Sequence, residues 1–96
     1  MGISKKYHRE DGPTIEYNKD YTVVYVDGER EERPAVHWLI GLKQWYINGK
    51  YHREDGPAVI YNNGNNEEWY YHGIKAKDKE EFYDEQWRKE VLMDLI

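Results

Sequence analysis

The 96-residue chain contains no cysteine. Disulfides and thiolate metal sites are therefore excluded, and the absence fits a reducing compartment. No apolar run approaches the roughly 18–20 residues that span a bilayer, and no apolar leader precedes the first motif, so a soluble, cytoplasmic protein is expected. Positive charge is in deficit: 14 Lys and Arg against 19 Asp and Glu give a formal net charge of −5. That balance opposes direct binding to nucleic acid, which begins with a basic patch releasing counterions. No Ser/His/Asp order, phosphate-binding glycine loop or Walker lysine can be found, so neither an enzyme nor a cofactor is expected. A chain this short builds one domain with a thin core.

What the chain has in quantity is tyrosine, ten residues, with four tryptophans and a single phenylalanine. Tyr and Trp combine a large apolar area with a polar tip and suit half-buried sheet faces and recognition surfaces alike. The chain also repeats itself. "KYHREDGP" occurs at Lys6–Pro13 and again at Lys50–Pro57. Three proline-led segments, "PTIEY", "PAVHW" and "PAVIY", alternate with aromatic segments ending in a turn, "VYVDG", "WYING" and "WYYHG", in units of about 21–24 residues.

Each unit reads as two strands and two turns. Asp27-Gly28 and Asn48-Gly49 are type I′ hairpin signals, because both positions need positive φ. In "EDGP" glycine is expected to supply an unusual φ, and proline to start a strand without a ladder bond. The expected fold is mainly β: an antiparallel β-meander of about three hairpin repeats over residues 5–75, capped by one C-terminal helix over 78–95, in a single domain spanning 1–96. The middle unit has lost the His and the turn glycine. Gly28 to Pro34 is six residues against eight from Gly49 to Pro57, an even deletion that preserves strand parity. That favours a structural joint over a repeated chemical site.

Period-two alternation puts Ile15/Tyr17, Val36/Trp38 and Val59/Tyr61 in the core, with Val24/Val26, Trp45/Ile47 and Trp69/Tyr71. Tyr25, Tyr46 and Tyr70 then form a stripe on the opposite face, a structural cover or a strip for a partner. After Ala76 the period becomes helical. Asp78 is the expected cap with Glu81 as the capping-box acid, and Asp84/Arg88 and Glu85/Lys89 are i,i+4 pairs. Tyr83, Trp87, Val91 and Leu95 form the inward stripe with Phe82. The end of the helix is apolar nearly all round, and Leu92, Leu95 and Ile96 suggest a second contact, either homodimerisation through this helix or insertion into a host protein.

His8/Arg9/Glu10/Asp11 and His52/Arg53/Glu54/Asp55 contain acid–base and metal-ligand types. However, adjacent strand residues diverge and each copy offers one His, so no metal site is expected. Arg9 and Arg53 are expected to clamp carboxylates or turn carbonyls, with His8 and His52 beside strand aromatics. A share of their contacts is open to a partner.

"WYINGKYHREDGPAVIY" (Trp45–Tyr61) resembles the short HREDGPA-type β-repeats of phage-encoded and some bacterial small proteins, which are similar in style to MORN repeats and MORN-variant antitoxins. The resemblance spans about Lys5–Lys75 and is weakest in the middle unit. It implies an open or curled β-meander that binds protein without catalysis, such as a phage accessory or anti-defence factor blocking a host protein in the host cytoplasm. A nucleic-acid-processing defence enzyme is one class of target, reached by acidic mimicry through Asp78, Glu80, Glu81, Asp84 and Glu85. The alternatives are an antitoxin-like partner of a bacterial toxin, or a nucleotide sponge with Arg9, Arg53 and aromatics in an inter-subunit pocket.

Overall fold

A computed structural model describes residues 7, 9, 12–61 and 66–95. Their envelope is a slab of 42 × 41 × 19 Å. Its centre is a six-stranded antiparallel sheet in the order β3-β2-β1-β4-β7-β8: β1 Ile15–Tyr17, β2 Tyr21–Val26, β3 Glu29–Pro34, β4 Lys43–Gln44, β7 Val59–Tyr61 and β8 Asn66–Glu68. Two short hairpins stand beside it, β5 Tyr46–Ile47 with β6 Lys50–Tyr51, and β9 Tyr70–Tyr71 with β10 Ile74–Lys75. The mainly β, hairpin-built architecture with a C-terminal helical cap is the one expected from the repeats.

The turns explain the hairpins. Asp27-Gly28, Asn48-Gly49 and His72-Gly73 all have positive φ at both positions, from 49° to 84°, as a two-residue type I′ connection requires. In the second and third units the aromatic segment is divided at a tryptophan. Trp45 donates its N–H to the carbonyl of Ala58, the residue that leads into β7 of the large sheet, while its own carbonyl accepts from His52 beside the hairpin. Ala76 donates to the Trp69 carbonyl in the same way. Each Trp is thus a pivot between two sheets, and strand parity does not carry across it.

The middle unit departs from expectation. "PAVHW" is not a proline-led strand: the chain turns through a short 3-10 helix, His37–Leu39, and Trp38 is 84% exposed rather than inward. The cause lies upstream. "EREERP", without the turn glycine, continues as β3 alongside β2, with Val26 opposite Glu29 and Tyr21 opposite Pro34. From that outer edge the chain must cross three strand spacings, about 14 Å, to reach β4 on the far side of β1. Residues 35–42 are spent on this crossing, and Gly41 and Leu42 tie its end to the backbone of Tyr17.

Among the described residues, buried side chains gather in two small clusters. Ile15, Val24 and Val26 form one, with Tyr7, Tyr17 and Tyr46 packed on it. Tyr71, Ala76, Phe82 and Val91 form the other, with Trp69 and Trp87 against it. The helical cap has two parts, α1 Lys79–Phe82 and α2 Glu85–Asp94. Asp78 caps the first by accepting from Glu81 N–H at 2.8 Å, and Glu81 reaches back to accept from Lys77 N–H at 2.9 Å. Asp84 caps the second by accepting from Trp87 N–H at 2.9 Å. The break at Tyr83–Asp84 rotates the expected stripe. Phe82 and Val91 are buried and Trp87 is half-buried, whereas Tyr83 and Leu95 are exposed.

Candidate recognition surface

Among the described residues of the two "KYHREDGP" copies, the arginines make internal contacts. Arg53 Nη1 donates to the Pro57 carbonyl at 3.1 Å while its guanidinium lies 4.0 Å from the centre of the Trp45 ring. Arg9 does the same with the Pro13 carbonyl, at 3.4 Å, and the Tyr25 ring, at 4.1 Å. These are carbonyl clamps, one of the two expected roles. Burial pulls the Arg53 pKa below its ordinary value, the mark of a cation that has exchanged water for an aromatic face.

The glycine of the motif has a different role from the one expected. Gly56 is not in the left-handed region. A Cβ there would lie 2.6 Å from Arg53 Cζ, and one on Gly12 would lie 2.8 Å from Arg9 Cζ. The absent side chain makes room for the guanidinium. Arg30 stands four residues before Pro34, the same offset as Arg9 and Arg53 from their prolines. With Arg33 in the glycine's place, Arg30 stays on the open strand, 2.6 Å from Glu32. This spacing was legible in the sequence and names the residue that decides between turn and strand.

Residues 52–56 form a loop, so His52 and Arg53 do converge, contrary to the strand argument. Both line a groove of about 780 Å³ with Arg9, Trp45, Ile47 and His72. Glu54 and Asp55 line it too. Arg9 and Arg53 therefore share a groove within one chain, and two carboxylates balance their charge.

His52, Glu54 and His72 place candidate ligand atoms within 4.8 Å of one another. The hydrogen bonds argue against a metal there. His52 Nδ1 accepts from the His72 backbone N–H at 2.7 Å, so neutral imidazole carries its proton on Nε2, which faces Glu54 at 2.5 Å. Coordination through Nε2 would drive that proton to Nδ1, against the His72 N–H. The same assignment leaves His52 no free nitrogen for base catalysis. Burial holds its pKa below the ordinary value, reinforced by His72, whose ring centre is 4.1 Å away, while Glu54 pulls the other way.

The tyrosines divide between the faces. Tyr25 lies under Arg9, whereas Tyr46 packs on the Ile15/Val24/Val26 core, so the expected Tyr25/Tyr46/Tyr70 stripe does not form. Its physical reason is the Trp45 pivot, which turns Tyr46 to the opposite face. The ladder that does form is Tyr7–Tyr46–Tyr51–Tyr70, with ring centres 5.8, 4.7 and 5.0 Å apart. Tyr51 accepts from Gln44 Nε2 at 2.7 Å, and Tyr61 donates to Glu68 at 3.0 Å. Tyr17 joins Tyr7 and Tyr46 on the same core. All six are half-buried. Burial raises the pKa values of the Tyr17, Tyr46 and Tyr70 phenols, and that of Tyr61 is pushed up to about 12, so these four are uncharged at neutral pH. Alternation placed Tyr17 and Tyr61 on the core face, but Tyr7 and Tyr51 were missed by sequence reasoning because the ladder is assembled from several hairpins.

On the helix, Trp87 belongs to the core, while Leu92, Met93 and Leu95 are exposed. Ile96, His8, Glu10 and Asp11 lie outside the described residues. Arg88 was expected to pair with Asp84. It turns inward instead, donating from Nε to the Phe82 carbonyl and from Nη2 to the Glu54 carbonyl, both at 2.7 Å. It bolts the helix break to the second joint, a role no local pattern signals. Asp78, Glu81 and Asp84 are engaged in capping, which removes three acids from the expected mimicry stripe.

No known family, curated protein or solved structure matches this chain.

Proposed function

We propose that this protein is a non-catalytic protein-binding module whose contact face is the tyrosine platform. The observation that carries the reading is the platform itself: six half-buried tyrosines, four of them in a continuous ladder, gathered on one face of a slab 19 Å thick. Such rings offer large contact area at low entropic cost, and Tyr is enriched at interface hot spots. The internal engagement of His52 and of the two joint arginines supports binding over catalysis. The exposed Leu92, Met93 and Leu95 extend the contact as a second patch for the same partner. The resemblance to HREDGPA-type repeats supports a phage accessory factor that blocks a host protein in the cytoplasm, with an antitoxin-like role as the alternative. A nucleotide sponge is the weaker reading, because the groove between Arg9 and Arg53 is balanced by Glu54 and Asp55.

Quantitative affinity capture from host lysates tests this, comparing the wild type with Tyr17→Ala/Tyr61→Ala and with Trp38→Ala. Loss of a stoichiometric partner in the tyrosine variant alone, with the fold intact by circular dichroism, is the expected result. Retention by the tyrosine variant would overturn the assignment of the face.

A further inference from the structure

The outer edge of the large sheet is β3, "EREERP", and all six of its residues are exposed. Tyr25 donates its N–H to Thr14 on the β1 side, so Val24 and Val26 direct their backbone groups to β3. With Val24 opposite Glu31 and Val26 opposite Glu29, the residues Glu29, Glu31 and Arg33 spend their backbone groups on β2. Arg30 and Glu32 therefore present N–H and C=O outward, whereas Pro34 has no N–H and its carbonyl accepts from Thr22 Oγ1 at 3.1 Å. Among the described residues this edge has no neighbouring strand.

We infer that this edge pairs with a second copy of itself, antiparallel, about a two-fold axis through Glu31. Hydrogen-bonded pairing requires outward residues to meet outward residues, so only registers centred on a residue are allowed. Centring on Glu31 sets Arg30 opposite Glu32 of the second copy and Glu29 opposite Arg33, each twice, giving four opposite-charge pairs and one like pair, Glu31 with itself. Both Arg30/Glu32 pairs exchange two backbone hydrogen bonds. Centring on Glu32 leaves two opposite-charge pairs and sets Arg30 against the N–H-less Pro34. Centring on Arg30 sets Arg30 against itself and Glu29 against Glu31. Edge charges ordinarily repel a second strand; this sequence is complementary to its own reverse in a single register.

The pairing joins two six-stranded sheets into one of twelve. Its axis is perpendicular to the sheet, so both tyrosine platforms fall on the same side. The edge pairing stands whether or not the platform binds a partner.

Sedimentation velocity of the full chain over a concentration series at low and high salt tests it. A dimer that weakens as salt rises is expected. Arg30→Glu/Arg33→Glu and, separately, Glu29→Lys/Glu32→Lys should each weaken self-association by at least about tenfold. Mixing the two variants should restore a heterodimer, because every lost pair returns across the axis. Glu32→Pro, which deletes an outward N–H without touching the β2 ladder, should be monomeric and folded. A wild type monomeric throughout, variants that repel without recovering on mixing, or a dimer abolished only by Leu92→Glu/Leu95→Glu would overturn the inference.

Discussion

Replacing Gly56 by alanine would put a Cβ 2.6 Å from Arg53 Cζ and 2.8 Å from its Nη1. The obstructing atoms are the far end of a flexible side chain, so the guanidinium can swing away and the cost is the contacts it then loses. Those are the bond to the Pro57 carbonyl and the stack on Trp45. At a half-buried site they amount to about 1–2 kcal/mol for the charge-assisted hydrogen bond and roughly 0.5–1 kcal/mol for the cation–π contact. Against this, alanine at an ordinary φ recovers about 0.4–1 kcal/mol of unfolded-chain entropy. The net expectation is a loss of about 1–2 kcal/mol, a fall in melting temperature of roughly 4–16 °C for a domain of this size. The cost of Gly56→Ala should also not exceed that of Arg53→Ala. In an Arg53→Ala background the sign should reverse, with Gly56→Ala neutral or stabilising. Urea denaturation of the four proteins completes the cycle. Equal destabilisation with and without Arg53 would refute the reasoning, since it would mean that backbone conformation, rather than room for the arginine, selects glycine.

Other outcomes follow from the same contacts. His52 has a folded-state pKa below its unfolded value, so the unfolded chain binds the proton first. Stability should be full above pH about 6.5, decline as pH falls through the window beneath it, and level off below the folded pKa. His52→Gln should flatten that part of the profile in urea melts, and an unchanged slope would assign it elsewhere. Asp84→Ala removes the cap of α2 and should cost about 1 kcal/mol by thermal melting, with Asp84→Asn costing less. Leu92→Glu/Leu95→Glu should leave stability within about 0.5 kcal/mol per site, because both side chains are exposed, while reducing partner retention on a capture column. Unchanged retention would remove the helix end from the contact surface.

The hairpins were legible because their information is local. Asp27-Gly28 and Asn48-Gly49 name a turn whose geometry few other residues accept, and Asp78 and Glu81 name a helix start within four residues. The joint was half legible: the repeat identified it, and the constant offset of arginine from proline was visible. The reason for its glycine was not, because close approach involves a side chain folding back over the backbone.

By itself, the sequence determined the repeat, the type I′ turns, the helical cap and the charge pattern of "EREERP", all set by neighbours along the chain. Tertiary structure alone decided which tyrosines share a face, where Trp38 points and what Arg88 holds. The physical reason is the pivot at Trp45 and Trp69, where one strand leaves the large sheet and begins a hairpin. Alternation predicts a side chain's face only within one continuous ladder. Beyond each pivot, the neighbouring hairpins set the orientation, and the tyrosine ladder exists only once they are stacked.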